Sequence, residues 1–303
     1  MSERGRPTAA KSRAPVSVGS HLLGFLLVTH PLPSAMYVIA TALLSPVAAA
    51  AARRPLDGAV LARVLIAVAA AQVAVGSFND YCDRALDAAS GRNKPIVRGQ
   101  ITPAEAVGLG LAASLVLLVA SASLGPLPLL LGILIEGLGL AYDFRFKGTP
   151  VSAVLFAVYF PLFPLLAWAV FGRWQPFLPW LLPFGAALGI AMNVANTLPD
   201  LEADRAAGVR GLPHLLGFQR GLVVAWGTPL LALAGILFLH VTSLVPARGP
   251  GLAVAATAAL LSVGTSIGLY LWRPLPATLR TTFLLQGFGV IALAGGWIAA
   301  VAF

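Results

Sequence analysis

Acidic residues are scarce in this chain, 11 Asp and Glu among 303 residues against 20 Lys and Arg. Charged residues of either sign reach only 10% of the composition, which excludes an ordinary soluble domain. A single cysteine, Cys82, excludes an internal disulfide, and nothing signals an oxidising compartment. The formal charge of +9 raises nucleic acid as a partner. The basic residues, however, fall in short loops between apolar runs, where they set membrane orientation and meet phosphates. No nucleic acid and no obligate protein partner are therefore expected. What the chain has in plenty is apolar surface: 58% of residues are hydrophobic and the mean hydropathy is +0.88. Glycine (31) and proline (23) are abundant as well, and membrane helices tolerate both where neighbouring helices satisfy the freed backbone groups.

The apolar runs reach the ~20 residues that a bilayer-spanning helix needs. The pattern predicts nine spans, roughly 22–44, 58–79, 103–123, 127–143, 151–171, 176–197, 221–242, 251–272 and 279–302. Kinks are expected at Pro31 and Pro33 in the first and at Pro161 and Pro164 in the fifth. Residues 1–20 are polar and read as a disordered cytoplasmic tail, leaving 21–303 as one transmembrane domain. A signal peptide is the other reading of the N-terminus, but the first apolar run is longer than a usual signal core. With the tail inside, inner segments hold 15 basic residues and outer segments four, a strong positive-inside signal. The fold class is all-α integral membrane, a bundle of nine helices. The location expected is the plasma membrane, with the N-terminus on the cytoplasmic side.

Six of the 11 acids lie in two short clusters, each at the inner end of an apolar run. The first is Asn79-Asp80-Tyr81-Cys82-Asp83-Arg84-Ala85-Leu86-Asp87; the second is Asp200-Leu201-Glu202-Ala203-Asp204. A carboxylate at a membrane edge is costly unless it holds a cation or lines a polar cavity. On a helix, Asp80, Asp83 and Asp87 share one face, and the Asn79 amide can join it. Asn196, Asp200 and Asp204, four residues apart, share another, while Glu202 points away as a solvated charge. A single Asp near a helix end is usually a cap. Five aspartates and two asparagines on two faces of one membrane side point instead to a metal. Oxygen ligands without a His or Cys partner favour a hard cation, Mg²⁺ above all, with phosphate oxygens completing its shell. Asp80, Asp83, Asp87, Asp200 and Asp204 are the candidate ligands.

Basic residues accompany the acids: Arg92, Lys94 and Arg98 after the first cluster, Arg145 and Lys147 after the fourth span, Arg205 and Arg210 after the second cluster. Such cations neutralise phosphate oxygens and stabilise a departing diphosphate. Arg92, Lys94 and Lys147 are the stronger candidates; singly, each would be read as a positive-inside residue. Tyr142 can hydrogen-bond a phosphate or turn its ring to a cation, or simply anchor at the interface. Phe156, Tyr159, Phe160 and Phe163 are read as packing or lipid-facing rather than channel-lining. His214 is read as a loop histidine without a role, and His30, beside Pro31, stays open.

These residues carry a resemblance. The chain resembles the UbiA superfamily of intramembrane prenyltransferases, whose members bear Asn-Asp-x-x-Asp-x-x-x-Asp and a later Asp-x-x-x-Asp. Lys94-Pro95-Ile96-Val97-Arg98-Gly99-Gln100-Ile101-Thr102 and the Tyr142 to Lys147 stretch are similar to two further family elements. The resemblance implies a nine-helix bundle around a central cavity. It implies Mg²⁺-dependent transfer of an isoprenyl chain from a polyprenyl diphosphate to an aromatic or lipid acceptor. Asp80, Asp83, Asp200 and Asp204 would be catalytic; Asn79, Arg92, Lys94, Tyr142, Lys147 and Asn196 would hold the diphosphate. Lys94 stands where the family usually has Arg, and Gly148 where a second basic residue is common. A terpene-cyclising member, a cation-coupled transporter and a CDP-alcohol phosphotransferase are the alternatives.

Overall fold

The computed structural model describes residues 17–206 and 208–302. Most of the expected tail thus lies outside the described residues, but Val18–Ser20 do not belong to a tail: Ser17 caps a short helix, α1 (Val18–Leu27). The first expected span is likewise split. α1 ends before a break at His30, whose backbone is left-handed, and α2 runs from Pro31 to Ala51. Pro31 and Pro33 open α2 instead of kinking it, because first-turn residues have no intrahelical acceptor to lose. The bundle continues with α3 (Gly58–Ala89), α4 (Pro103–Ala122), α5 (Pro126–Ala141), α6 (Val151–Phe171) and α7 (Leu181–Thr197). It closes with α8 (Leu201–Ala206), α9 (Leu212–Val241), α10 (Gly251–Trp272) and α11 (Pro276–Val301).

Among the described residues, nine helices are long and apolar enough to cross a membrane, and the protein is an all-α integral membrane bundle. Two ends differ from expectation in ways that matter for function. α5 runs on into a π-helical turn, Tyr142–Phe146, which shifts the register just before Lys147. The sixth span passes from α7 through a 3₁₀ turn at Leu198–Asp200 into the short α8, because Pro199 cannot donate to the helical ladder. The seventh starts earlier, at Leu212, with a break at Gly217 (φ 75).

α3 packs on α4, α6 on α7 and α10 on α11, while α2 touches α3, α6 and α11. The largest buried cluster, with Trp168, Phe177 and Trp297, fills the end opposite the acids.

Candidate active site

α3 carries the first cluster as one unbroken helix, which puts its acids on one face as their spacing requires. Gly76, one turn before Asp80, lets the Val28–His30 turn press against α3: a Cβ there would lie 3.0 Å from the Thr29 carbonyl carbon and the Val28 oxygen. That turn is held by Ser34, whose hydroxyl donates to the Thr29 carbonyl at 2.7 Å. His30 is thereby aimed at Asp80, with Nε2 2.8 Å from Oδ1. Lys94 donates to the same oxygen at 2.7 Å, and its Nζ lies 3.2 Å from His30 Nε2. Asp80 is buried, and its other oxygen, Oδ2, has no partner.

The remaining acids are also matched with cations. Lys147, carried into place by the π turn, donates to Asp83. Arg92 joins the two clusters: its Nη1 lies 3.4 Å from Asp87, and its Nη2 lies 2.8 Å from Asp204 and 3.9 Å from Asp200. Arg280, at the start of α11, donates to Asp200 at 2.8 Å. Asn79 donates to Asp143 at 2.6 Å, and the second oxygens of Asp87 and Asp143 are buried without partners. Burial would pull the Arg92 guanidinium down, but Asp200, Asp204 and Asp87 outweigh it and hold its pKa above the usual arginine value. For Lys147 burial acts in the same direction and is likewise outweighed, by Tyr142, Asp83 and Asp143, so the ammonium stays charged.

These groups surround a cavity of about 790 Å³. Asn79, Asp83, Arg92, Lys94, Tyr142, Lys147, Asn196 and Asp200 line it; Asp80, Asp87 and Asp204 stand behind that lining. A second cavity of about 690 Å³ is apolar apart from Arg248 at its far end. Pro33, Tyr37, Phe156 and Phe283 line both, so the apolar cavity begins where the polar one ends. The α6 aromatics are therefore not mere packing. Phe156 and Tyr159 face the polar cavity, and Phe156, Phe160 and Phe163 the apolar one. Tyr37 fixes this neck by stacking on Phe163 at 4.5 Å and meeting Tyr159 edge-on at 5.5 Å.

The profile of the UbiA prenyltransferase family matches residues 38–288. The chain belongs to this family. It is similar to a digeranylgeranylglyceryl phosphate synthase of Natronomonas pharaonis, 31% identical over 197 residues that cover 62% of this chain and 71% of the relative. A protein of the same name from Halobacterium salinarum is 35% identical over 156 residues, covering 49% of this chain and 54% of that one. In fold it is similar to a UbiA homologue from Archaeoglobus fulgidus bound to DMAPP and Mg²⁺, with a TM-score of 0.68 at 17% identity over 89% of this chain and 99% of that one. The transporter and phosphotransferase readings fall with the family match, and the protein is a UbiA-type prenyltransferase.

Several polar residues of this UbiA-type site were not legible as such. Asp143 sits inside the Tyr142 to Lys147 stretch but only the fold turns it to Asn79. Arg280 counted as one more inner arginine, since nothing local ties it to Asp200, 80 positions earlier. His30 gave only its neighbour Pro31 as a signal. By contrast Arg145 is exposed and Arg205 is spent on the His214 carbonyl at 3.1 Å, so neither joins the cavity. Gly148 does not leave its loop loose: its carbonyl accepts the Arg210 N–H at 3.0 Å.

Proposed function

We propose that this UbiA-family enzyme transfers the prenyl group of an allylic prenyl diphosphate to a lipid acceptor bearing a glyceryl phosphate. The observation that carries the reading is Arg92, which ties Asp87 of one acidic cluster to Asp204 of the other at the polar end of a cavity that continues as an apolar one. A diphosphate with an apolar tail has that polarity pattern. The lipid acceptor is supported by the names of the two relatives above.

The donor set suits Mg²⁺. Buried carboxylate oxygens without partners, on Asp80 and Asp87, are unfavourable unless a cation reaches them. Among the described residues no three His, Cys, Asp or Glu side chains are grouped closely enough to hold an ion alone, so phosphate oxygens and water must supply the rest of the shell. Asp80, Asp83, Asp87, Asp200 and Asp204 would hold the metal, and bound Mg²⁺ would neutralise charge on the departing diphosphate. Lys94, Arg92 and Lys147, which line the polar cavity, would neutralise phosphate oxygens, with Asn79, Asn196 and Tyr142 offering hydrogen bonds. The carbon–oxygen bond breaks with its electrons on the diphosphate, and the acceptor oxygen bonds the allylic carbon while its proton passes to the released diphosphate. Tyr37 and Phe156, which line both cavities at the neck, would keep water from that cationic carbon. The excess of basic residues at this end of the bundle supports a mouth on the cytoplasmic side.

The test is product analysis. Purified protein with Mg²⁺ and prenyl diphosphates of graded length should release diphosphate only with an acceptor, and mass spectrometry should find a prenyl ether of the glyceryl phosphate lipid. Prenylation of aromatic acceptors alone would replace the lipid reading. Equal diphosphate release by the wild type and Asp80→Ala would overturn the assignment of the site.

A further inference from the structure

Behind the diphosphate cavity lies a small chamber that the reaction above does not use. It measures about 50 Å³ and is closed in by the ends of α3, α6, α7 and α9 and by the loop before His214. A water needs roughly 10–15 Å³ of such space, so the chamber has room for a few waters or one tetrahedral oxyanion. His214 lines it, is only 9% exposed, and has no partner on either ring nitrogen. Asn193, on α7 one turn before Asn196, is buried beside it with Oδ1 unpartnered. Buried polar atoms in native proteins are nearly always satisfied, so two buried side chains with unpartnered polar atoms lining one chamber ask for a ligand. Gly211 keeps the space open: a Cβ built there would stand 3.6 Å from both His214 Nδ1 and Ser152 Oγ.

The charges choose the ligand. Arg92 and Lys147, which line the diphosphate cavity, also line this chamber, and Asp204 on its wall is already paired with Arg92 at 2.8 Å. A neutral imidazole offers one N–H, and the Asn193 amide can present its NH₂ by rotating end for end. Donors beside two cations suit a phosphate group.

We infer that this chamber binds the phosphate of the acceptor, with His214 and Asn193 as its recognition residues. The inference rests on the glyceryl phosphate reading of function. It gives that reading a geometric reason: the hydroxyl of a glyceryl phosphate lies only a few bonds from its phosphorus. A phosphate held here, next to Arg92 and Lys147, leaves that hydroxyl at the diphosphate cavity. An acceptor without phosphate would lose this anchor.

The experiment uses the full chain in lipid nanodiscs with His214→Ala, His214→Gln and Asn193→Asp, the last isosteric and repulsive to an anion. KM is measured separately for the glyceryl phosphate lipid and for the prenyl diphosphate, and calorimetry reads binding of glycerol phosphate and of inorganic diphosphate without turnover. His214→Ala and Asn193→Asp should raise the acceptor KM and the glycerol phosphate Kd about tenfold or more, leave the donor KM within about twofold, and His214→Gln should recover part. A rise in donor KM and diphosphate Kd instead would assign the chamber to the leaving group and overturn the inference. Unmoved constants in all three variants would make it a water chamber and overturn it as well. Should the wild type prenylate no glyceryl phosphate, the proposed function fails. His214-dependent binding of glycerol phosphate would still uphold the chamber.

Discussion

The two acidic clusters are chemically alike and structurally opposite. The first rides on α3, a single helix of 32 residues, and its Asp80 and Asp87 side chains are 0% and 1% exposed. Its counter-ions come largely from the same stretch of chain: Arg92 and Lys94 follow within a short loop. The second hangs on a helix broken at Leu198–Asp200, its Asp200 and Asp204 side chains 30% and 19% exposed. It borrows its cations, Arg92 from one side and Arg280 from the other. One half is a prebuilt wall of buried charge, and the other is held at the site by ion pairs between distant segments. A buried charge stripped of its partner is far more costly than an exposed one, so the halves should fail differently.

The sharpest break in that comparison is Asp80→Asn. It leaves Lys94 and His30 facing a neutral amide in a buried setting, and kcat/KM should fall by about 10³-fold. Asp200→Asn, more exposed, should fall by roughly tenfold to a hundredfold. Steady-state kinetics with saturating Mg²⁺ read both, and losses of equal size would erase the distinction. Next comes Arg92→Ala, which unties the clusters and should cost about a hundredfold in kcat/KM together with a lower thermal midpoint. Arg92→Lys should restore the charge but not the fork that spans Asp87 and Asp204. A double-mutant cycle with Asp204→Asn measures the link directly, and additive losses would show that Arg92 bridges nothing.

Arg280→Ala should do less. Its side chain is 64% exposed, so a roughly threefold to tenfold rise in KM for the prenyl diphosphate is expected, with kcat nearly unchanged. The smallest effect concerns pH. The pKa values of Arg92 and Lys147 are raised in the folded state. The stability they contribute is therefore complete below the unfolded values and is lost only as pH rises through the folded ones. An unfolded lysine titrates near 10.4, so melting curves at about pH 7 and about pH 9.5 should agree. A clear drop at the higher pH would mean that one of these cations is not held by its carboxylates.

Much of the site was readable before the fold because it is helical and local. Asp80, Asp83 and Asp87 share a face by spacing alone, and Lys94 lies only a loop away from Asp80. Arg280, Asp143 and His30 were not readable, because each meets its partner across 50 or more positions of chain. The helix pattern hid the breaks as well. Pro31 looks like a kink in a long apolar run until the left-handed His30 before it shows the run to be two helices. Phe156 and Phe163 do more than the packing their hydropathy suggests, for a related reason. An aromatic ring on an apolar helix has the same hydropathy whether it meets lipid, a neighbouring helix or a cavity, and only packing says which.

By itself the sequence determined the membrane character, the nine spans, the placement of both acidic clusters at one end and the family resemblance, because these depend on hydropathy, helical period and short motifs. The tertiary structure alone decided that Arg92 spans the two clusters, that the polar cavity opens into an apolar one at Tyr37, and that His214 and Asn193 point unpartnered into a chamber. Those facts depend on how distant helices pack, and local periodicity carries no record of which side chains meet across the bundle.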